Sequence, residues 1–169
     1  VRADNKTRQY GVSVTPTYSF SGVSSPQVTG APVVTSTQAT NTGTAVGSYP
    51  ISISMGTLSA PLYDIVLQTG SLTITKIQQS APSINLSPLP VFKVGTSTSI
   101  SVSGGQGSYE LEYSSDGGIN WSTRSSPFTP SAVDQNYKLR ARYIGNDNYS
   151  STEYTIKNTP ITDQQLTYN

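Results

Sequence analysis

Glu110 and Glu112 are the residues of this chain best spaced for chemistry. Sugar hydrolysis needs two carboxylates flanking a glycosidic bond, one acting as acid and the other as base or nucleophile. Residues two apart fall on the same side of a strand, and Tyr109, Leu111 and Tyr113 take the opposite side of this run. A plainer use for the two glutamates is pairing across a sheet. Lys138, Arg140 and Arg142 alternate in the same way with Tyr137, Leu139, Ala141 and Tyr143. Cross-strand pairing is the favoured reading, and no catalytic residue is assigned.

Three further groupings carry chemistry. Asn146, Asp147 and Asn148 offer a run of side-chain oxygens, with Asp116 in another turn; they are the calcium candidate, since calcium takes six to eight oxygen ligands. The chain lacks the spaced acidic ladder of a calcium loop, and Gly145-Asn146-Asp147-Asn148 is also what a tight turn selects, so no metal or cofactor is expected. Trp121 and Tyr149 are the glycan candidates, because an exposed flat ring can stack on a sugar. Lys93, on an early strand, and Asn158, at the end of a late one, could close an amide cross-link with loss of ammonia if Glu110 or Glu112 shuttled the proton.

Composition removes most other chemistry. The 169 residues contain no His and no Cys, which excludes Ser/His/Asp and Cys/His nucleophile systems, structural zinc sites and iron–sulfur clusters. The net charge is +1, which gives no electrostatic footprint for nucleic acid or an anionic membrane. No run approaches the roughly 20 apolar residues of a spanning helix, so neither nucleic acid nor membrane insertion is expected. Charged residues make up only 11% against about 25% in an average domain. Hydroxyls fill the gap, with 27 Ser and 22 Thr.

Strands must therefore position these groups. Period-two alternation recurs at Tyr49, Ile51 and Ile53, at Tyr63, Ile65 and Leu67, at Tyr109 to Tyr113 and at Tyr137 to Tyr143, the pattern of half-buried antiparallel strands. Ser103-Gly104-Gly105, Asp116-Gly117-Gly118 and Gly145 to Asn148 punctuate them as turns. The predicted fold is all-β, two small antiparallel sandwich-like modules in tandem with little or no helix. The polar stretch ending at Pro82 sets the boundaries: a module over 1–76, a linker over 77–81, a second module over 82–157 and a tail over 158–169. Asp163 precedes Tyr168 as Asn5 precedes Tyr10, so the tail is expected to open a further repeat.

Residues 1–76 resemble an MBG domain of the Tyr-Gly type, a repeat of bacterial secreted and surface proteins. The resemblance lies in Tyr10-Gly11, Phe20-Ser21-Gly22, Gly30-Ala31-Pro32, Val46-Gly47-Ser48-Tyr49-Pro50-Ile51 and Gly70-Ser71-Leu72-Thr73-Ile74. Val12 to Pro16 replaces the acidic residue and Asn-Pro usual after Tyr-Gly, Leu62 replaces an Asn, and Ser24 to Thr29 is abbreviated, so no helix is expected there. Residues 82–157 are similar to bacterial immunoglobulin-like repeats: Tyr113 to Gly118, Trp121-Ser122, Tyr137 to Tyr143 and Gly145 to Tyr149 follow in the right order. Asp134 ahead of Tyr137 resembles the corner in which a Tyr hydroxyl bonds back to upstream backbone.

These resemblances imply a non-catalytic segment of an exported, adhesin-like bacterial surface protein, serving as spacer or stalk. Its expected partners are neighbouring repeat domains and a host or cell-surface protein or glycan. The alternative is a carbohydrate-binding module attached to a polysaccharide-degrading enzyme. The chain opens Val1-Arg2-Ala3-Asp4 without Met, so an export signal and anchor are expected to lie outside it.

Overall fold

Tyr49, Ile51 and Ile53 turn inward and the intervening Pro50, Ser52 and Ser54 face solvent, as a half-buried strand requires. They belong to the longest strand of a computed structural model that describes residues 1–22 and 27–163. The chain divides into two units, Val1–Ile77 and Gln78–Asn169.

Unit 1 contains β1 (Arg2–Ala3), β2 (Lys6–Gln9), β3 (Tyr18–Ser19), β4 (Val33–Thr35), a single-turn helix α1 (Thr37–Thr40), β5 (Gly47–Ser54) and β6 (Gly70–Thr75). Four strands form a sheet in the order β2-β6-β5-β4, and β1 pairs with β3. β6 runs antiparallel to β5 and parallel to β2. The parallel partners keep one constant offset: Arg2 bridges Gln68, Lys6 faces Leu72 and Gln9 faces Thr75. Ala3 N–H donates to the Gln68 carbonyl at one end and Tyr10 N–H to the Thr75 carbonyl at the other, both at 2.9 Å. The core consists of Ala3, Ala39, Ile51, Leu72 and Ile74, with Tyr10, Val14, Val34, Tyr49 and Ile53 packed around it.

Arg8 breaks the hydropathy pattern of β2, because it is buried. Its Nη2 donates to the carbonyls of Gln38 and Asn41, each at 2.8 Å, and Nη1 to that of Gln9 at 3.1 Å. The helix end beneath the sheet leaves carbonyls without intrahelical partners, and a guanidinium with five donors can satisfy several at once.

Tyr63, Ile65 and Leu67 do not form the predicted strand. A turn links Tyr63 N–H to the Ala60 carbonyl, and the Tyr63 hydroxyl donates to Gln27. Leu62 and Val66 stand in solvent. The end of the stretch is tied to the first residue, by the Val1 amino group to the Val66 carbonyl at 2.7 Å and by Gln68 N–H to the Val1 carbonyl at 2.9 Å, without forming a strand. Of the 24–29 stretch, residues 24–26 lie outside the described residues.

Unit 2 contains β7 (Ser83–Ser87), β8 (Phe92–Lys93), β9 (Ser99–Ser103), β10 (Tyr109–Ser114), β11 (Ser122–Thr123), β12 (Lys138–Tyr143), β13 (Thr155–Asn158) and β14 (Ile161–Thr162). One layer is a sheet ordered β11-β10-β12-β13, and the pairs β7-β9 and β14-β8 supply the other. Between them lie Ile84, Phe92, Ile100, Leu111, Tyr137, Leu139, Ala141 and Ile161.

Two boundaries differ from the sequence reading. Gln78 and Gln79, in the stretch read as a linker, are fastened to unit 2. Gln79 Nε2 donates to the Ser150 carbonyl at 2.7 Å, its Oε1 accepts from Gln106 N–H, and the Ser150 hydroxyl donates to Gln78. At the other end, Thr159 and Ile161 are buried and β14 pairs in parallel with β8. Residues 158–163 thus pack as part of unit 2. Residues 164–169 lie outside the described residues.

The expected tyrosine corner does not form. Tyr137 is buried, but its hydroxyl has no hydrogen-bond partner among the described residues. Its ring lies nearly parallel to those of Tyr113 and Phe128, with its centroid 5.6 Å from each. The Arg124 guanidinium lies closer to those two rings, 4.0 Å from each centroid. Burial pushes the Tyr137 hydroxyl pKa up to about 12, outweighing the nearby Arg124 charge. Removing an unpaired hydroxyl forfeits no hydrogen bond, so Tyr137→Phe is expected to change stability by less than about 0.5 kcal/mol, or to raise it slightly, where a true corner would lose about 1. Urea unfolding followed by Trp121 fluorescence measures the difference.

Candidate functional site

The four-stranded sheet of unit 2 gathers the candidate carboxylates on its outer face. In register, Glu110 faces Arg142, Glu112 faces Arg140 and Ser114 faces Lys138. Arg142 Nε donates to Glu110 at 2.7 Å and Arg140 Nε to Glu112 at 2.6 Å. The Tyr154 hydroxyl donates to the same Glu110 oxygen at 2.7 Å. The Arg140 guanidinium lies over two rings, 4.4 Å from the Trp121 centroid and 4.1 Å from that of Tyr154. Lys138, expected as a partner of the glutamates, is one register step beyond them.

The electrostatics oppose a hydrolytic role. The Arg142 hydrogen bond, then that of Tyr154, holds the Glu110 carboxyl below its ordinary value, and Arg142 is correspondingly raised. A glycosidase acid needs the opposite, a carboxyl kept protonated near neutrality. A lowered folded pKa contributes stability above the unfolded value and loses it as pH falls through the folded one. Unit 2 is therefore expected to lose stability on acidification below about pH 4.5, the ordinary value for Glu110. Glu110→Gln should flatten part of that acid limb in a pH series of urea midpoints.

Trp121 and Tyr149 are not brought together. Trp121 adjoins β11, whose Ser122 pairs with Tyr113, at the end of the sheet where Ser114 meets Lys138. Tyr149 lies in the loop after β12, at the end where Tyr109 meets Tyr143. Strands of six residues put the two ends roughly 17 Å apart at 3.3 to 3.4 Å per residue. Trp121 Nε1 donates to the Gly118 carbonyl at 3.0 Å, and Arg140 covers part of its ring. These two residues do not assemble a sugar platform.

The calcium trio is organised as a turn. Asn146 Oδ1 accepts the N–H groups of Asn148 and Tyr149, each at 2.9 Å, so its side-chain oxygen is already engaged. Asp116 likewise organises its own turn: it accepts from the Ser114 hydroxyl at 2.6 Å, from Ile119 N–H and from both nitrogens of Asn120. These bonds hold its carboxyl well below the usual range. Among the described residues no group of three or more His, Cys, Asp or Glu could hold a metal ion. The cross-link is not assembled either: Lys93 faces Thr162 in the β8-β14 pair, whereas Asn158 faces Lys138 in the four-stranded sheet.

Arg124, between Tyr113 and Phe128, had no signal in the sequence. Its neighbours come from other parts of unit 2, and a lone Arg among Ser residues reads as surface.

Unit 1 presents its signature residues at the two ends of the parallel ladder. Tyr10 closes it through the bond to Thr75. Gly11 then leaves at φ +81, a region that a residue with a Cβ rarely enters, and its N–H donates to Thr42. At the other end, a Cβ on Gly70 would fall 2.5 Å from the Ala3 carbonyl oxygen, so only Gly lets the first strand lie this close. Residues 1–73 match the family model of the MBG domain, YGX type. No curated protein and no solved structure matches the chain. The MBG domain is a generally non-catalytic repeat typical of extracellular surface proteins. In unit 1 the Tyr10-Gly11 pair is the lock at the end of the ladder. A cleft of about 260 Å³ in unit 1 has Asp64 as its one carboxylate among the described lining residues. No described helix is long and apolar enough to cross a membrane.

Proposed function

We propose that this chain is a spacer or stalk segment of an exported bacterial surface protein, with adjoining repeat domains of the same chain as its partners. The MBG match over unit 1 carries the reading. The two-layer arrangement of unit 2, with a four-stranded sheet facing the β7-β9 and β14-β8 pairs, favours an immunoglobulin-like second spacer. The outer-face glutamates are spent on arginines, which favours a structural over a catalytic use of that sheet.

Antibodies raised against the segment test the placement: they should label intact cells of the producing organism, or the parent protein should be recovered from the medium. Confinement to the cytoplasm would overturn the reading. Trp121 fluorescence titrated with polysaccharides should stay flat. A saturable change would replace the spacer by a carbohydrate-binding module.

A further inference from the structure

We infer that unit 1 is a force-bearing module, with the parallel ladder between its first and last strands as the mechanical clamp. The chain enters through Arg2 to Gln9 and leaves through Gln68 to Thr75, and these segments run side by side in one direction. Tension on the two ends of a unit draws such strands in opposite senses along their own axes. The evenly spaced, slanted bonds of a parallel pair are then loaded together in shear. Strands drawn apart from a shared end fail one bond at a time. Resistance to force is set by the barrier to unfolding, and shear raises that barrier because the bonds must yield together.

The ladder is built to stay closed. It is bounded by the Ala3 and Tyr10 hydrogen bonds, and the Ser71 N–H is held by Asn5 Oδ1 at 2.9 Å where β1 passes to β2. Arg8, in the middle of β2, ties the strand to the carbonyls of Gln38 and Asn41, so β2 cannot slide without breaking bonds to a second part of the unit. Unit 2 repeats the device on a smaller scale: Phe92 faces Ile161, Lys93 faces Thr162, and Val94 N–H donates to Thr162 at 3.0 Å. The use of this resistance in a stalk rests on the proposed function; the resistance itself does not.

Single-molecule pulling on one variant, Val12→Cys, tests the clamp. The chain has no Cys, so the thiol is a unique handle, and Val12 is exposed. Pulled between its N- and C-termini, the full chain loads the ladder in shear. Pulled between the thiol and the C-terminus, the same protein peels the ladder from the end where Gln9 faces Thr75. The expected result is a several-fold lower unfolding force for unit 1 in the second geometry, with the unit 2 event unchanged. Each event is identified by the length it releases, about 3.5 Å per residue freed. Equal unit 1 forces in the two geometries, high or low, would overturn the clamp, while labelling of intact cells separately decides the surface placement.

Discussion

Phe92→Ala is expected to destabilise unit 2 by about 3–5 kcal/mol, the range for deleting a buried aromatic ring. Phe92 is fully buried, and two rings meet it edge-on: Phe128 at 5.3 Å and Tyr137 at 5.6 Å. It also sits on β8, whose partner β14 brings Ile161 into the same core. Truncation therefore opens a cavity against rings that are already stacked on Tyr113 and clamped around Arg124, and they cannot easily collapse into it. A domain holds only about 5–15 kcal/mol in total, so this one change removes a large share. Trp121, the single Trp of the chain, lies in unit 2 and reports its unfolding without interference. The urea midpoint should fall markedly for Phe92→Ala and much less for Phe92→Leu. A midpoint within error of the parent would show that the aromatic cluster does not hold the two layers together.

Arg8→Met is the counterpart in unit 1. The methionine keeps much of the buried stem but removes the donors, leaving the Gln38 and Asn41 carbonyls without the guanidinium that satisfies them. A hydrogen bond to a charged group contributes about 1.5–3 kcal/mol, and a buried acceptor left unpaired adds its own penalty, so the expected loss is about 2–4 kcal/mol. Amide hydrogen exchange at Ile51, Leu72 and Ile74 reads the change in unit 1 directly, as a loss of protection. Arg8→Lys should recover part of it, since one ammonium can reach fewer of the carbonyls than a fork. Unchanged protection in Arg8→Met would mean that water replaces the guanidinium freely.

The strands easiest to read were those with one wet and one dry face. β5 and β12 alternate cleanly, and their apolar sides do turn inward; β10 buries Leu111 but leaves Tyr109 exposed and buries Ser114. The glutamate and arginine pairing was legible too, although its register was not: nothing in the composition of β12 says that Lys138 would face Ser114. β2 was hard to read because Lys6, Thr7, Arg8 and Gln9 contain no apolar residue at all; its burial depends on carbonyls supplied from residues 38 and 41. β8 and β14 have two residues each, too short for any period. Tyr63 to Leu67 shows the converse, a period that does not become a strand. The candidate site separates along the same line. Spacing along one strand put Glu110 and Glu112 together, but only the pairing of strands shows that Trp121 and Tyr149 lie at opposite ends of the sheet and that Arg124 is enclosed by rings.

The pairing of β2 with β6 also sets the order in which unit 1 can assemble. Within the sheet, β2 touches only β6, and β6 lies between β2 and β5. A growing chain therefore carries β2 without its sheet partner until Gly70 to Thr75 follow, since long-range contacts must await closure of the intervening loop. Until that last strand arrives, β4 and β5 have only each other, and an isolated two-stranded hairpin is at best marginally stable. The unit is thus committed to folding late and all at once, after its final residues have emerged, and it stays threadable until then.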